Sequence, residues 1–178
     1  MMQELRPLSV LPPPLPSLHK MTLDELRDAV IQCMLEGPAG HYRVGKIYNH
    51  IVKNRRAVYA GYPTTREYFR RHVRVLSHLS LTMYGAVARK FDQAVCEKYG
   101  MANLGALLEY ERLRYGSVMY VPGEPGNMAI EIPRRGGLTL TKPFADCTPE
   151  DLRQAVRARR APRRNLEADL PIAGYKSP

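Results

Sequence analysis

From Thr22 to Leu113 the apolar residues recur at helical spacing, and start and stop signals cut the run into short pieces. A chain patterned in this way has little choice but to form a set of packed helices. Thr22-Leu23-Asp24-Glu25 has capping-box spacing, and Leu23, Leu26, Val30, Ile31 and Met34 then share one face until Gly37 and Pro38 close the segment. A second helical pattern carries Tyr42, Ile47, Tyr48, Ile51 and Val52, and Gly61-Tyr62-Pro63 ends the segment after it. Thr64-Thr65-Arg66-Glu67 repeats the capping-box spacing and predicts a third helix that takes Tyr68, Phe69 and Val73 into a core. Ser77 or Ser80 is placed to cap a fourth, in which Leu81, Tyr84, Val87, Ala88 and Phe91 keep helical spacing. Asp92 restarts a fifth that stops at Gly100, and Leu104, Leu107, Leu108 and Leu113 mark a sixth.

After Ser117 the pattern alternates, as strands do. Val118-Met119-Tyr120-Val121 is followed by a Pro/Gly loop, and Ala129-Ile130-Glu131-Ile132 and Leu138-Thr139-Leu140-Thr141 flank Arg134-Arg135-Gly136-Gly137 as a hairpin. Thr148-Pro149-Glu150-Asp151 starts a last helix with proline at its first position. The fold class expected is therefore mainly α: a compact helical domain containing a helix-turn-helix, then a small β-hairpin able to act as a wing, then a C-terminal helix. With 178 residues the chain suits one domain with tails. The expected divisions are a proline-rich, disordered leader over 1–20, the helical domain over 21–116, the hairpin and helix over 117–160, and a basic flexible tail over 161–178.

The charge is uneven. Lys and Arg number 27 against 17 Asp and Glu, a net +10, which biases the molecule toward anionic partners. Between His41 and Val75 the bases are Arg43, Lys46, Lys53, Arg55, Arg56, Arg66, Arg70, Arg71 and Arg74, and Glu67 is the lone acid. Cations on a merely solvated helix face have acids at helical spacing; here they would repel one another until an anion arrives. A second basic cluster, Arg153, Arg157, Arg159, Arg160, Arg163 and Arg164, lies on the last helix and its tail. Arginine predominates in both clusters, and its planar fork suits phosphate and guanine edges, which favours nucleic acid as the polyanion.

The run Gly61-Tyr62-Pro63-Thr64-Thr65-Arg66-Glu67-Tyr68-Phe69, followed by Leu79-Ser80-Leu81-Thr82-Met83-Tyr84-Gly85, resembles helix-turn-helix segments of bacterial regulators and mobile-element DNA-binding proteins. In those a Gly-Tyr turn precedes a helix with an aromatic pair, and a Leu-Ser turn precedes a second helix. The resemblance covers residues 61–91. It implies that Ser80, Thr82 and Met83 face bases in the major groove while Arg70, Arg71 and Arg74 hold phosphates, with Arg89 and Lys90 reaching phosphate later on the same helix. That helix lacks Arg, Asn and Gln in its first two turns, the commonest base readers.

Catalytic patterns are not seen: His19, His41, His50, His72 and His78 form no HExxH or HxH, and there is no phosphate-binding glycine loop or nucleophile elbow. Tyr84, Tyr99, Tyr110 and Tyr115 read as core or its rim. Cys33, Cys96 and Cys147 stand far apart and read as buried thiols in a reducing compartment. The prolines before residue 17 argue against a signal peptide, and no window approaches the length of a membrane span. The expectation is a non-enzymatic DNA-binding protein of the cytoplasm and nucleoid, a transcriptional regulator or chromosome-organising factor without metal or cofactor. It would contact duplex DNA through an arginine-rich face, as a homodimer if it reads two half-sites. The leader offers a proline motif to a protein partner. The alternative is a protein–protein interaction module docking an acidic partner, with RNA binding ranked third for want of stacking aromatics.

Overall fold

The computed structural model describes residues 17–116 and 124–160. The leader up to residue 16, the strand expected at Val118–Val121, and the tail from residue 161, with Arg163 and Arg164, lie outside the described residues. Within them the chain is mainly helical, with eight α-helices, the last of which follows a two-stranded antiparallel hairpin. It divides into two compact units, 1–105 and 106–178. The division falls inside one helix, α7 (Met101–Tyr115).

The first unit is built around α2 (Pro38–Lys53), which packs against α1 (Leu23–Leu35) on one side and α5 (His78–Lys90) on another. Thr22 caps α1 through the expected box: its hydroxyl accepts from the Glu25 N–H, and the Glu25 carboxylate takes the Thr22 N–H at 2.6 Å. Thr64 caps α4 (Thr65–His72) by the same bond to the Glu67 N–H, but the Glu67 carboxylate turns to Arg70 and Arg71 instead. Ser77, rather than Ser80, caps α5. Asp92 caps α6 (Gln93–Tyr99), and Gly100, at φ 78°, ends it in a conformation that glycine adopts without steric cost. The unit contains one helix more than its periodicity suggested, a single turn α3 (Arg56–Tyr59) whose preceding residue, Arg55, is left-handed at φ 49°.

Leu26, Val30 and Cys33 of α1, Val44, Ile47, Tyr48 and Ile51 of α2, Tyr68 and Phe69 of α4, and Leu81 of α5 form one core. Tyr48 and Phe69 lie 5.5 Å apart between ring centres, and the buried Tyr68 hydroxyl donates to the Leu23 carbonyl. Two glycines set how closely the central helices approach. A β-carbon on Gly45 would stand 2.3 Å from the Tyr84 carbonyl oxygen, and one on Gly85 would stand 2.7 Å from the Tyr48 ring. Asn49 closes the crossing by donating to the Gly85 carbonyl at 2.8 Å.

The second unit pairs β1 (Ala129–Pro133) with β2 (Thr139–Pro143), Glu131 opposite Thr141, across the expected Gly136-Gly137 turn. Ile130 and Ile132 alternate inward, and α8 (Pro149–Arg160) packs on β1 with Leu152 and Ala155 buried. Cys33 and Cys96 are buried, as expected, and burial pushes the Cys96 thiol up to about 11. Cys147 departs from the expectation. It is only partly buried, because it follows a short turn at the surface that leaves its thiol donating weakly to the Pro143 carbonyl.

Replacing Gly45 by alanine should cost about 3 kcal/mol or more, because the clash is with backbone and outweighs the gain of roughly 1 kcal/mol in helix propensity. Gly105→Ala meets only the flexible Met83 side chain and should change stability by less than about 1 kcal/mol. Urea melts of the two variants against the parent check both values.

Candidate nucleic-acid interface

The outer face of α4 follows from its buried one. Tyr68, Phe69 and, just past the helix, Val73 point into the core, so Arg66, Glu67, Arg70 and Arg71, with Arg74 beyond the end, point out. Four arginines share this strip with one carboxylate. Glu67 accepts from Arg70 at 2.7 and 2.8 Å and from Arg71 at 2.6 Å, and these bonds hold its carboxyl at about 2, so it stays ionised throughout the physiological range. Arg66 and Arg74 are exposed and have no carboxylate partner among the described residues.

A second group of cations gathers at the α2–α5 crossing. Asn49, which binds the Gly85 carbonyl through its amide nitrogen, accepts from Arg89 of α5 at 2.9 Å through its oxygen. Lys46 and Lys53 lie one helical turn before and after Asn49 on α2, and both are exposed. Lys46 sits 6.0 Å from the centre of the Tyr42 ring. Lys90 is exposed beside Arg89. Among the described residues none of these four cations is paired with a carboxylate.

The remaining expected phosphate ligands divide. Arg55 is exposed, and Arg56 donates to the Met21 carbonyl, tying the entering chain to α3. Arg43 does not belong to an open face: its side chain is 14% exposed and forms a double contact with Glu36 at 2.8 and 3.0 Å. Glu36 lies seven residues earlier, just outside the acid-poor stretch, and the turn at Gly37-Pro38 brings it alongside. Of the eleven cations expected to meet phosphate, Arg43, Arg70 and Arg71 are engaged by carboxylates, and eight are not.

The three residues expected to face bases are occupied within the chain. The Ser80 hydroxyl shares a hydrogen bond with the Ser77 hydroxyl at 2.8 Å in the cap of α5, Thr82 donates to the His78 carbonyl at 2.8 Å, and Met83 lies over Gly105 of α7. The side chains that the first turn of α5 offers to solvent are His78 and Leu79, the latter 79% exposed. α4 and α5 are joined by the five residues 73–77, as the helix-turn-helix reading requires, yet the principal packing of α5 is on α2 through the paired glycines.

Three of the four described arginines of the second basic cluster, Arg153, Arg159 and Arg160, are bonded to carboxylates. Arg159 donates to Glu131 at 2.7 Å and to the buried Tyr110 hydroxyl at 3.1 Å, with its guanidinium 4.6 Å from the centre of the Tyr110 ring. Arg160 reaches Glu109, Arg153 binds Glu150, and Arg112 binds Glu109. Arg134, expected at the tip of a wing, is drawn back to Asp151, which Lys142 and Thr148 also hold and whose carboxyl they keep at about 2. Arg135 and Arg157 are the cations of this unit without a carboxylate bond among the described residues.

No known family model, curated protein or solved structure matches this chain. Among the described residues no three metal-ligating side chains converge, and no helix is long and apolar enough to cross a membrane.

The sequence reading missed Asn49, which links Arg89 to the helix crossing, and Tyr59, whose ring is 79% exposed. A polar residue within the buried stripe of α2 was the available signal for Asn49. The fates of Arg43 and Arg66 predict opposite effects. Arg43→Ala leaves Glu36 without its partner in a partly buried place and should cost about 1 kcal/mol or more, whereas Arg66→Ala should stay within about 0.5 kcal/mol of the parent in thermal melts.

Proposed function

We propose that this chain is a non-enzymatic DNA-binding protein that grips duplex DNA by its phosphates, as a transcriptional regulator or chromosome-organising factor does. One observation carries the reading. In the second unit seven of the nine described cations are bonded to carboxylates, while in the first unit nine of the fourteen described cations, Lys98 not being one of the nine, have no carboxylate partner among the described residues. If the arginines served only solubility, the two halves of the chain would pair alike. The unpaired cations Lys46, Lys53, Arg66, Arg74, Arg89 and Lys90 retain their full attraction for an outside anion, and that anion is best supplied as a repeating array of phosphates.

With Ser80, Thr82 and Met83 used inside the fold, base reading is not the chief source of affinity. Binding tolerant of sequence, sensitive to salt and dominated by backbone contact is the mode this surface favours. The place of the protein in cytoplasm and nucleoid, and a dimeric state, belong to the same proposal. A second reading is favoured by Val75 and Leu79, 63% and 79% exposed beside Arg74, a pairing of apolar and positive groups that suits an acidic amphipathic protein segment.

The triple variant Lys53→Ala, Arg66→Ala, Arg74→Ala should weaken binding to a 20-base-pair duplex and lower its salt slope by about three. The triple Arg112→Ala, Arg153→Ala, Arg160→Ala removes the same net charge and should leave both nearly unchanged. Equal losses in an equilibrium binding titration would mean that net charge, not a face, is responsible. Saturable capture of an acidic peptide that DNA does not displace would favour the second reading.

A further inference from the structure

The elbow between α2 and α3 carries a feature that phosphate contact does not use. Tyr59 ends α3 and is 79% exposed, and no ring contact, side-chain hydrogen bond or cation contact to it is found among the described residues. The other tyrosines of the first unit are differently placed. Tyr48 and Tyr68 are in the core, the Tyr62 hydroxyl is 2.7 Å from His72, and Tyr84 stacks on His41 with ring centres 4.8 Å apart.

Lys53 and Arg55 stand on the approach to Tyr59, both exposed and both without a carboxylate among the described residues. The backbone holds this group together. The Arg55 N–H donates to the Val52 carbonyl at 3.1 Å, and the Tyr59 N–H donates to the Arg55 carbonyl at 3.0 Å. Arg55 is the only non-glycine residue with positive φ among those described, a conformation that costs an L-residue roughly 1 kcal/mol or more and that interrupts the helix between Lys53 and Arg56.

We propose that Tyr59, flanked by Lys53 and Arg55, is a stacking site for an unpaired base of a single-stranded segment of nucleic acid. This inference rests on the reading of the first unit as a nucleic-acid surface and names a partner that the duplex-phosphate mode does not require. An exposed aromatic side chain four and six residues after exposed cations offers the two things a single strand needs, a π-surface for a base and positive charge for nearby phosphates. A base inside a duplex is already stacked on both faces and has nothing to gain from the ring. Every base presents a π-face, so stacking on the ring is sequence-tolerant. Strand ends, loops and opened duplex are the substrates that would use it.

The chain contains no tryptophan, so Tyr59→Trp introduces a single fluorescent reporter at the site. Titration of this variant with an oligo-dT of about 20 nucleotides should quench the tryptophan saturably, while a hairpin-closed duplex of equal charge should bind with little quenching. Tyr59→Ala should weaken oligo-dT binding by roughly five- to a hundredfold and leave the closed duplex within about twofold, and Tyr59→Phe should restore oligo-dT binding. Far-UV circular dichroism confirms that the variants are folded. If the parent binds the duplex but Tyr59→Ala binds oligo-dT as the parent does, or oligo-dT is not bound, the stacking site is overturned and the duplex reading stands. If the parent retains neither nucleic acid at low salt, both fall.

Discussion

The first unit depends on the contact between α2 and α5, where Gly45 and Gly85 let two backbones approach to a distance at which a single methyl group would collide with a carbonyl. Dense packing of that kind transmits small displacements, because there is no void to absorb them. The same contact positions charge. Asn49 binds the Gly85 carbonyl on one side of its amide and Arg89 on the other, so the last turn of α5 is tied to the stripe of α2 that bears Lys46 and Lys53. The close crossing therefore determines where cations of two helices gather.

Electrostatics gives the two units different kinds of surface. In the second unit, carboxylates at Glu109, Glu131, Glu150 and Asp151 each take one or two cations, and Arg159 doubles as a lid on the Tyr110 ring. These arginines hold strand, helix and hydroxyl together. In the first unit the acids are spent early: Asp24 and Asp28 on Arg27, Glu36 on Arg43, and Glu67 on Arg70 and Arg71. What remains from Lys46 to Lys90 is positive and mostly exposed, and the next acids, Asp92 and Glu97, lie beyond it at α6. Like charges left together in water repel weakly and are screened by salt, so they are tolerated, and they become favourable only when a polyanion displaces its own counterions onto the solvent.

The helices were legible because their signals are local. Thr22, Thr64, Ser77 and Asp92 all cap helices through bonds to residues three positions on, a relation that a reader of the sequence can see. The hairpin turn at Gly136-Gly137 was legible for the same reason. Charge pairing was not, because the decisive partners are distant or lie just across a turn: Glu131 meets Arg159, Asp151 meets Arg134, and Glu36 meets Arg43 around Gly37-Pro38. The arginine cluster at 153–160 therefore looked unpaired in the sequence, whereas Arg153, Arg159 and Arg160 each meet a carboxylate in the fold and Arg159 is mostly buried. The contacts of Ser80, Thr82 and Met83 within the fold were likewise not legible. Two of them found hydrogen-bond acceptors or donors within one turn, and the third filled the space that Gly105 leaves.

On the proposed function, the carboxylate-free cations of the first unit meet phosphate. The most direct measurement is the equilibrium constant for a 20-base-pair duplex between 50 and 200 mM salt, plotted as log K against log salt concentration. Six phosphate contacts, one for each of Lys46, Lys53, Arg66, Arg74, Arg89 and Lys90, predict a slope of about −5. A slope near zero, or no binding at the lowest salt, would contradict the account.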